Sequence, residues 1–234
     1  MTTDRLRQFI RSSAWGKDLT ELQLRRVQSE SFETRASAGQ VICHQGVRAD
    51  YWYGVMEGLV KASNVCRNGR PTTFIGVPAG GWFGEGAVLK NELRPYDGVA
   101  LRDSTLVLVP ASTFHWLLDT SLPFNRFLID QLNARLAQFI VRLEHRRSHD
   151  PDKHVAHCLA ELFNSRLYPG MESTIEVSQE EIAYLAGVSR QLVNRALRHL
   201  EEKQLLSVQY GAITILDVAA FCAFAREAEE AAGK

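Results

Sequence analysis

Between Ser37 and Pro110 the chain alternates short apolar, β-branched and aromatic runs with glycine-bearing turns: AGQVICHQG, DYWYGVMEGLVKASNV, RNGRPTTFIGVPAGGWFGEGAVL and GVALRDSTLVLVP. Runs of this length, broken at this spacing, predict antiparallel strands wound into a barrel or roll. Gly39, Gly46, Gly58, Gly69 and Gly81 fall between the runs, where a residue tolerating positive φ lets the chain reverse.

From Ser121 to Arg147 the pattern changes to SLPFNRFLIDQLNARLAQFIVRLEHRR, which has no glycine and no proline after Pro123. It predicts one long helix. Ile129, Leu132, Leu136, Phe139 and Leu143 are separated by 3, 4, 3 and 4 residues, the alternation of a coiled-coil seam. A long core helix would need only that one stripe. Leu128 and Ile140 lie beside it, however, and can face the roll while the seam meets a second subunit, so the expectation is a homodimer. Pro151 cannot continue the helix but suits the first turn of another, with Asp150 as its N-cap. The break from His149 to Pro151 is the expected hinge.

The stretch SQEEIAYLAGVSRQLVNRALRHLEEKQLL, Ser178 to Leu206, carries a denser set of signals. Ser178 and Glu181 form the S-x-x-E of a capping box, flanked by Val177 and Ile182 as a hydrophobic staple. Gly187 ends that helix, and Ser189 can cap a second one with Leu192, Val193, Ala196, Leu197 and Leu200 on its apolar side. With small Ala183 at the crossing and Val193 in the angle, the pieces resemble a DNA-binding helix-turn-helix.

The face left over holds Arg190, Gln191, Asn194, Arg195 and Arg198. Arginine can grip guanine through two hydrogen bonds, and glutamine or asparagine can do the same to adenine. Arg190, Gln191 and Arg195 are therefore expected to read bases, with Asn194 and Arg198 on phosphates beside the Ser189 cap. Arginines on any surface helix give the same residue types; the capping box, glycine turn and small crossing residue in register favour DNA. QLLSVQYGAITILD then predicts two strands around Tyr210-Gly211, a wing placed to touch phosphates.

Composition narrows the classes. In 234 residues, 27 basic and 27 acidic side chains cancel, which excludes a generally basic coat for nucleic acid but not a local basic patch. No apolar run approaches the ~20 residues of a membrane span, and the N-terminal stretch offers no signal-peptide core, so a cytoplasmic protein without a membrane partner is expected. Cys43, Cys66, Cys158 and Cys222 are scattered with no CxxC pair, as reduced structural thiols would be.

In order, a glycine-punctuated roll, a long helix, a hinge and a winged helix-turn-helix resemble the Crp/Fnr family of bacterial transcription regulators across almost the whole chain. GVSRQLVNRALRHLEEKQLL matches that family's recognition helix, and GGWFGEGAVLKNELRPYD resembles part of its phosphate-binding cassette. The resemblance implies an α+β protein: an N-terminal cyclic-nucleotide-binding-like β-roll over residues 1–120, a dimerisation helix and hinge over 121–149, and a winged helix-turn-helix over 150–234. It implies a homodimer on a double-stranded DNA operator, with RNA polymerase and an unidentified small effector as further partners.

In cyclic-nucleotide-binding members the cassette glutamate holds the ribose and an arginine nine or ten residues later pairs with the cyclic phosphate. Gly84 and Glu85 match its start and Arg94 lies nine beyond Glu85. Pro95, Tyr96 and Asp97 then stand where small residues usually bring backbone N–H groups to the phosphate. Proline has no N–H and aspartate repels an anion. Where cyclic-AMP-sensing members place hydroxyls on the dimer helix, this chain has Phe139 and Ile140. The expected effector site is Gly84, Glu85, Arg94 and Phe139, without the usual manner of holding cyclic AMP. Glu85 and Arg94 read equally as a buried ion pair inherited from the fold. Gln191 stands where many members have glutamate, which shifts the expected base preference.

Other chemistries find less support. The cysteine cluster of iron–sulfur-sensing members is absent, and a haem would need an axial ligand, for which His44, Cys43 and His115 are the candidates without a supporting motif. His145, His149, His154, His157 and Cys158 have spacings compatible with a transition metal at the hinge, but Pro151 should part them, and hinge residues without a metal are the preferred reading. No cofactor is expected. A cupin-like enzyme would need paired histidines and a carboxylate on neighbouring strands, and the roll segment offers only His44, so no catalytic activity is expected. A helix-turn-helix used only for protein contacts is the other rival.

Overall fold

The computed structural model describes residues 3–65, 71–145, 150–169 and 173–226. By their contacts these form two compact units, residues 1–134 with 166–169, and residues 135–165 with 170–234.

The first unit opens with helices α1 (Asp4–Ser12) and α2 (Glu21–Glu30), which the strand-dominated reading of the sequence did not assign. Their signals are local: Thr3 caps α1, and Thr20 with Gln23 forms a complete capping box at α2. Strands β1 (Phe32–Ala36), β2 (Val41–Cys43), β3 (Tyr51–Glu57), β4 (Leu59–Val65), β5 (Pro71–Pro78) and β6 (Trp82–Phe83) follow. After helix α3 (Glu85–Leu89) come β7 (Asp97–Ala100), β8 (Ser104–Pro110), helix α4 (Ala111–Thr120) and the long helix α5 (Leu122–His145). The strands make two antiparallel four-stranded sheets, ordered β1-β8-β3-β6 and β2-β7-β4-β5, which is the expected roll.

An aromatic cluster holds the N-terminal helices to this roll. Trp15 packs edge-on against Trp82 at 5.1 Å and lies 5.2 Å from Trp52, with Phe114 and the α5 residue Phe124 closing the group. Leu6 and Ile10 of α1 and Leu128 of α5 are buried in the same core. Large aromatic area of this kind dominates core energetics.

The turn glycines divide by role. Gly39, Gly46 and Gly58 have positive φ as expected, and Gly69 lies outside the described residues. Gly81 does not; its neighbour Gly80 takes the left-handed turn. A Cβ on Gly81 would stand 2.6 Å from Val77 and 2.8 Å from the Tyr168 ring, so its service is close approach. Tyr168 is fully buried and donates to the Gly76 carbonyl at 2.7 Å.

The second unit begins inside α5 at Arg135 and adds helix α6 (Pro151–Leu162), strand β9 (Thr174–Glu176), helices α7 (Gln179–Ala186) and α8 (Arg190–Glu202), strands β10 (Leu206–Gln209) and β11 (Ala212–Ile215), and helix α9 (Val218–Arg226). Asp150 caps α6 as expected, its carboxylate accepting from the N–H groups of Asp152 and Lys153, with Pro151 in the first turn. The wing has three strands where two were expected, because β9 pairs with β11 in the order β10-β11-β9.

Candidate nucleic-acid interface and effector site

The helix-turn-helix is built by its caps. Ser178 Oγ accepts from the Glu181 N–H at 3.2 Å, and the Glu181 carboxylate accepts from the Ser178 N–H at 2.6 Å. Val177 and Ile182 are buried beside this box. Gly187 adopts φ +70°, and its N–H and that of Val188 both return to the Ala183 carbonyl. Ser189 Oγ then accepts from the Leu192 N–H at 3.2 Å and starts α8.

Helix α8 is cleanly two-sided. Val193, Ala196, Leu197 and Leu200 are buried, while Arg190, Gln191, Arg195 and Arg198 are exposed. Asn194 is half-buried and donates to Gln179 Oε1 at 3.2 Å, so part of its amide serves the helix pair itself. Beyond α8, Leu206 to Gln209 pair with Ala212 to Ile215, and the connecting turn leaves Tyr210 fully exposed beside Gly211 at φ +73°.

Along α5 the apolar seam is solvent-facing in the single chain. Exposure runs from 36% at Leu132 to 63% at Leu143, with Ile129, Leu136 and Phe139 between them. Leu128 is buried as expected, but Ile140 is half exposed and joins the open stripe, because it follows Leu136 by one helical turn on the same side.

In the roll, Gly84 takes φ +88° at the start of α3, and a Cβ there would stand 2.8 Å from Arg94 Nη1. Only glycine satisfies both demands. Glu85 and Arg94 are both buried. Arg94 donates from Nη2 to the Tyr51 carbonyl at 2.6 Å and lies 4.8 Å over the Tyr53 ring, which stacks on Phe83. Its Nη1 is buried, with no hydrogen-bond acceptor among the described residues. Burial pushes the Tyr53 phenol up to about 12 against the nearby Arg94 charge, and it raises the Cys43 thiol as well.

The departures from the cassette have structural work. Asp97 Oδ1 accepts from the Gln45 N–H at 2.7 Å and the Pro95 carbonyl accepts from Asn64 Nδ2 at 2.8 Å. Tyr51 and Tyr53, which frame Arg94, carry no sequence signal of their own because they lie more than forty residues upstream on β3. Phe139 belongs to the second unit, on the exposed stripe.

Of the haem-ligand candidates, Cys43 is buried, His44 is exposed near Asp97, and His115 donates to the Val88 carbonyl at 3.0 Å. At the hinge, His149 and the side chain of His145 lie outside what is described. His154 donates to the Ala186 carbonyl, His157 faces Glu161, and burial pushes the Cys158 thiol up to about 12. Among the described residues no group of three or more His, Cys, Asp or Glu side chains is placed to hold a metal ion. Nor is any described helix long and apolar enough to cross a membrane.

A sensory-type roll, a long helix and a winged helix-turn-helix together define a DNA-binding transcription regulator. Residues 33–121 match the model of the cyclic nucleotide-binding domain, and residues 134–224 match that of the Crp-like helix-turn-helix domain. The transcriptional regulator SdrP of Thermus thermophilus is 30% identical over 185 residues, covering 77% of this chain and 88% of its own. The cyclic AMP receptor protein of the same organism is 25% identical over 77% of this chain and 82% of its own. A solved transcriptional regulator of the CRP/FNR family from Thermus thermophilus is 27% identical with TM-score 0.57, covering 84% of this chain and 99% of that one. FixK2 of Bradyrhizobium japonicum, 18% identical, shares the fold with TM-score 0.69 over 86% of this chain and 99% of its own. The chain belongs to the Crp/Fnr family of transcription regulators.

Proposed function

We propose that this regulator acts as a homodimer that places two copies of α8 in successive major grooves of a roughly palindromic operator, with half-sites about 10 bp apart centre to centre. The observation that carries the reading is the two-sidedness of α8: Val193, Ala196, Leu197 and Leu200 are buried and Leu192 is half-buried, while Arg190, Gln191, Arg195 and Arg198 stand exposed on one face. Arg190, Gln191 and Arg195 read base edges. Asn194, Arg198 and the wing around Tyr210 contact phosphates, and Ser189 holds the helix end that enters the groove. The partner subunit covers Ile129, Leu132, Leu136, Phe139 and Leu143, since an apolar stripe of that length on a single chain is otherwise left in water.

The effector site centres on Gly84, Glu85 and Arg94 of the roll. A cyclic phosphate in the usual cradle needs several converging N–H donors. Arg94 Nη1 supplies a donor, but Pro95 has no N–H, and Asp97 adds a carboxylate two residues further on. The effector is therefore a small molecule held in another manner than cyclic AMP is. An effector-independent regulator of the same fold is the second reading, favoured by the Arg94 bond to Tyr51. The protein is a cytoplasmic regulator without catalytic activity, its functional division falls at 1–120, 121–149 and 150–234, and RNA polymerase is a further partner once it is on DNA.

Selection of bound sequences from random DNA, with and without cyclic AMP, tests the reading. A palindromic consensus that is unchanged by cyclic AMP is the expected result. Recovery of no consensus overturns the operator reading, and a consensus that appears only with cyclic AMP overturns the effector reading.

A further inference from the structure

Helix α7 ends at Leu185 and Ala186, whose carbonyls lie among the last of that helix, where no further turn of N–H groups follows. Side chains from two other helices reach them. Arg142 of α5 donates from Nη2 to the Leu185 carbonyl at 2.9 Å, and His154 of α6 donates from Nε2 to the Ala186 carbonyl at 2.8 Å. One residue later Gly187 turns the chain, and Ser189 starts the recognition helix.

Arg142 is also held from the other side. Its Nη1 lies 3.7 Å from Glu161 Oε2 on α6, with the two side chains only 15% and 6% exposed. The remaining Glu161 oxygen stands 3.2 Å from His157 Nε2. One guanidinium thus touches α6 and α7 from α5, and a cation at the C-terminal end of α7 is favoured by the helix dipole. A planar fork fixes direction in a way a flexible ammonium does not.

We propose that Arg142 is a positioning residue through which the long helix α5 sets the orientation of the recognition helix α8. The inference rests on the homodimeric operator reading above. Two recognition helices must fall in register with grooves about 34 Å apart for specific binding, whereas gripping phosphates of random DNA tolerates misalignment. Loss of Arg142 therefore acts on the ratio of specific to non-specific binding.

The test uses the full chain, the sequence that the wild-type protein selects from random DNA, and a random duplex of the same length. Arg142→Met keeps an unbranched apolar stem and removes the guanidinium. It is expected to lower operator affinity about tenfold while affinity for random DNA stays within about twofold and the dimer persists by sedimentation. Arg142→Lys, which keeps a donor, recovers part of the loss. Operator affinity within about twofold of wild type for Arg142→Met overturns the proposal, and so does an equal fall on both DNAs, which marks a general folding defect. If Arg142→Met does not fold, Arg142→Met with Glu161→Gln leaves no buried carboxylate uncompensated and is read against the same two outcomes. Failure of the wild type to select any sequence strikes the operator reading instead, so the two failures are distinguishable.

Discussion

The guanidinium of Arg94 lies 4.8 Å over the ring of Tyr53 while its Nη2 donates to the carbonyl of Tyr51 on the same strand. Arg94 is 3% exposed, so both contacts are made away from bulk water. Arg94→Ala is expected to lower the free energy of unfolding by about 2–3 kcal/mol, through the orphaned carbonyl and the lost packing. Arg94→Lys should fall between, since an ammonium neither stacks nor spans both partners. Urea unfolding of the three proteins checks the order.

On the recognition helix, Arg190→Ala and Arg195→Ala should each cost about 1–3 kcal/mol on the selected operator, and relax the base preference at one position per half-site. Arg198→Ala should weaken binding to all sequences alike and reduce the slope of affinity against salt by about 1. Gln191→Glu should move the preference at its own position toward a base pair that presents a donor. Fluorescence titrations over a salt series separate these behaviours.

The exposed seam of α5 gives a third expectation. Leu136→Glu places a carboxylate in the middle of the open apolar stripe, Leu136 being 59% exposed in the single chain. The variant should stay folded and sediment as a monomer, because no core contact is lost and only the partner's apolar surface is repelled. Its operator affinity should fall with the dimer, while circular dichroism is unchanged.

Ser178 and Glu181 exchange hydrogen bonds at the start of α7. Ser178→Ala should destabilise the second unit by about 1 kcal/mol, the usual cost of an N-cap hydroxyl. Hydrogen exchange at the α7 amides reads the effect where it arises.

Cys158 supplies a pH dependence with a definite sign. Its thiol has an ordinary value of 9.0 and is pushed up to about 12 by burial, so the fold favours the protonated form. Stability from this group is complete below pH 9. It declines as pH rises from 9 toward 12, because the unfolded thiol loses its proton first. Cys158→Ala should flatten that decline relative to wild type, measured by denaturant unfolding at several pH values. In the native protein below pH 9 the thiol should resist alkylation.

Much of the DNA-reading unit was legible in the sequence because its determinants are local. A cap and its partner lie three residues apart in S178-x-x-E181, Gly187 alone permits the left-handed turn, and Val193, Ala196, Leu197 and Leu200 repeat at helical spacing. The same holds for the long helix and for Asp150 at its successor. The N-terminal helices were equally local: Thr3 and Thr20 with Gln23 cap them, and Leu6 with Ile10 on α1 and Leu24 with Val27 on α2 are buried at helical spacing.

The rest depended on residues far apart in the chain. No spacing tells that Trp15, Trp52, Trp82 and Phe124 share one core, that β9 completes the wing sheet, or that Ile140 faces water while Leu128 does not. Cross-strand and interhelical contacts arise from how elements pack, and pattern within one element does not encode its neighbour. The sequence by itself determined the order of elements, the caps that bound them and the polar face of α8. Only the tertiary structure decided that Arg94 is framed by Tyr51 and Tyr53, and that Arg142 closes the end of α7. Both contacts join residues more than forty positions apart, where packing geometry rather than local periodicity sets which groups meet.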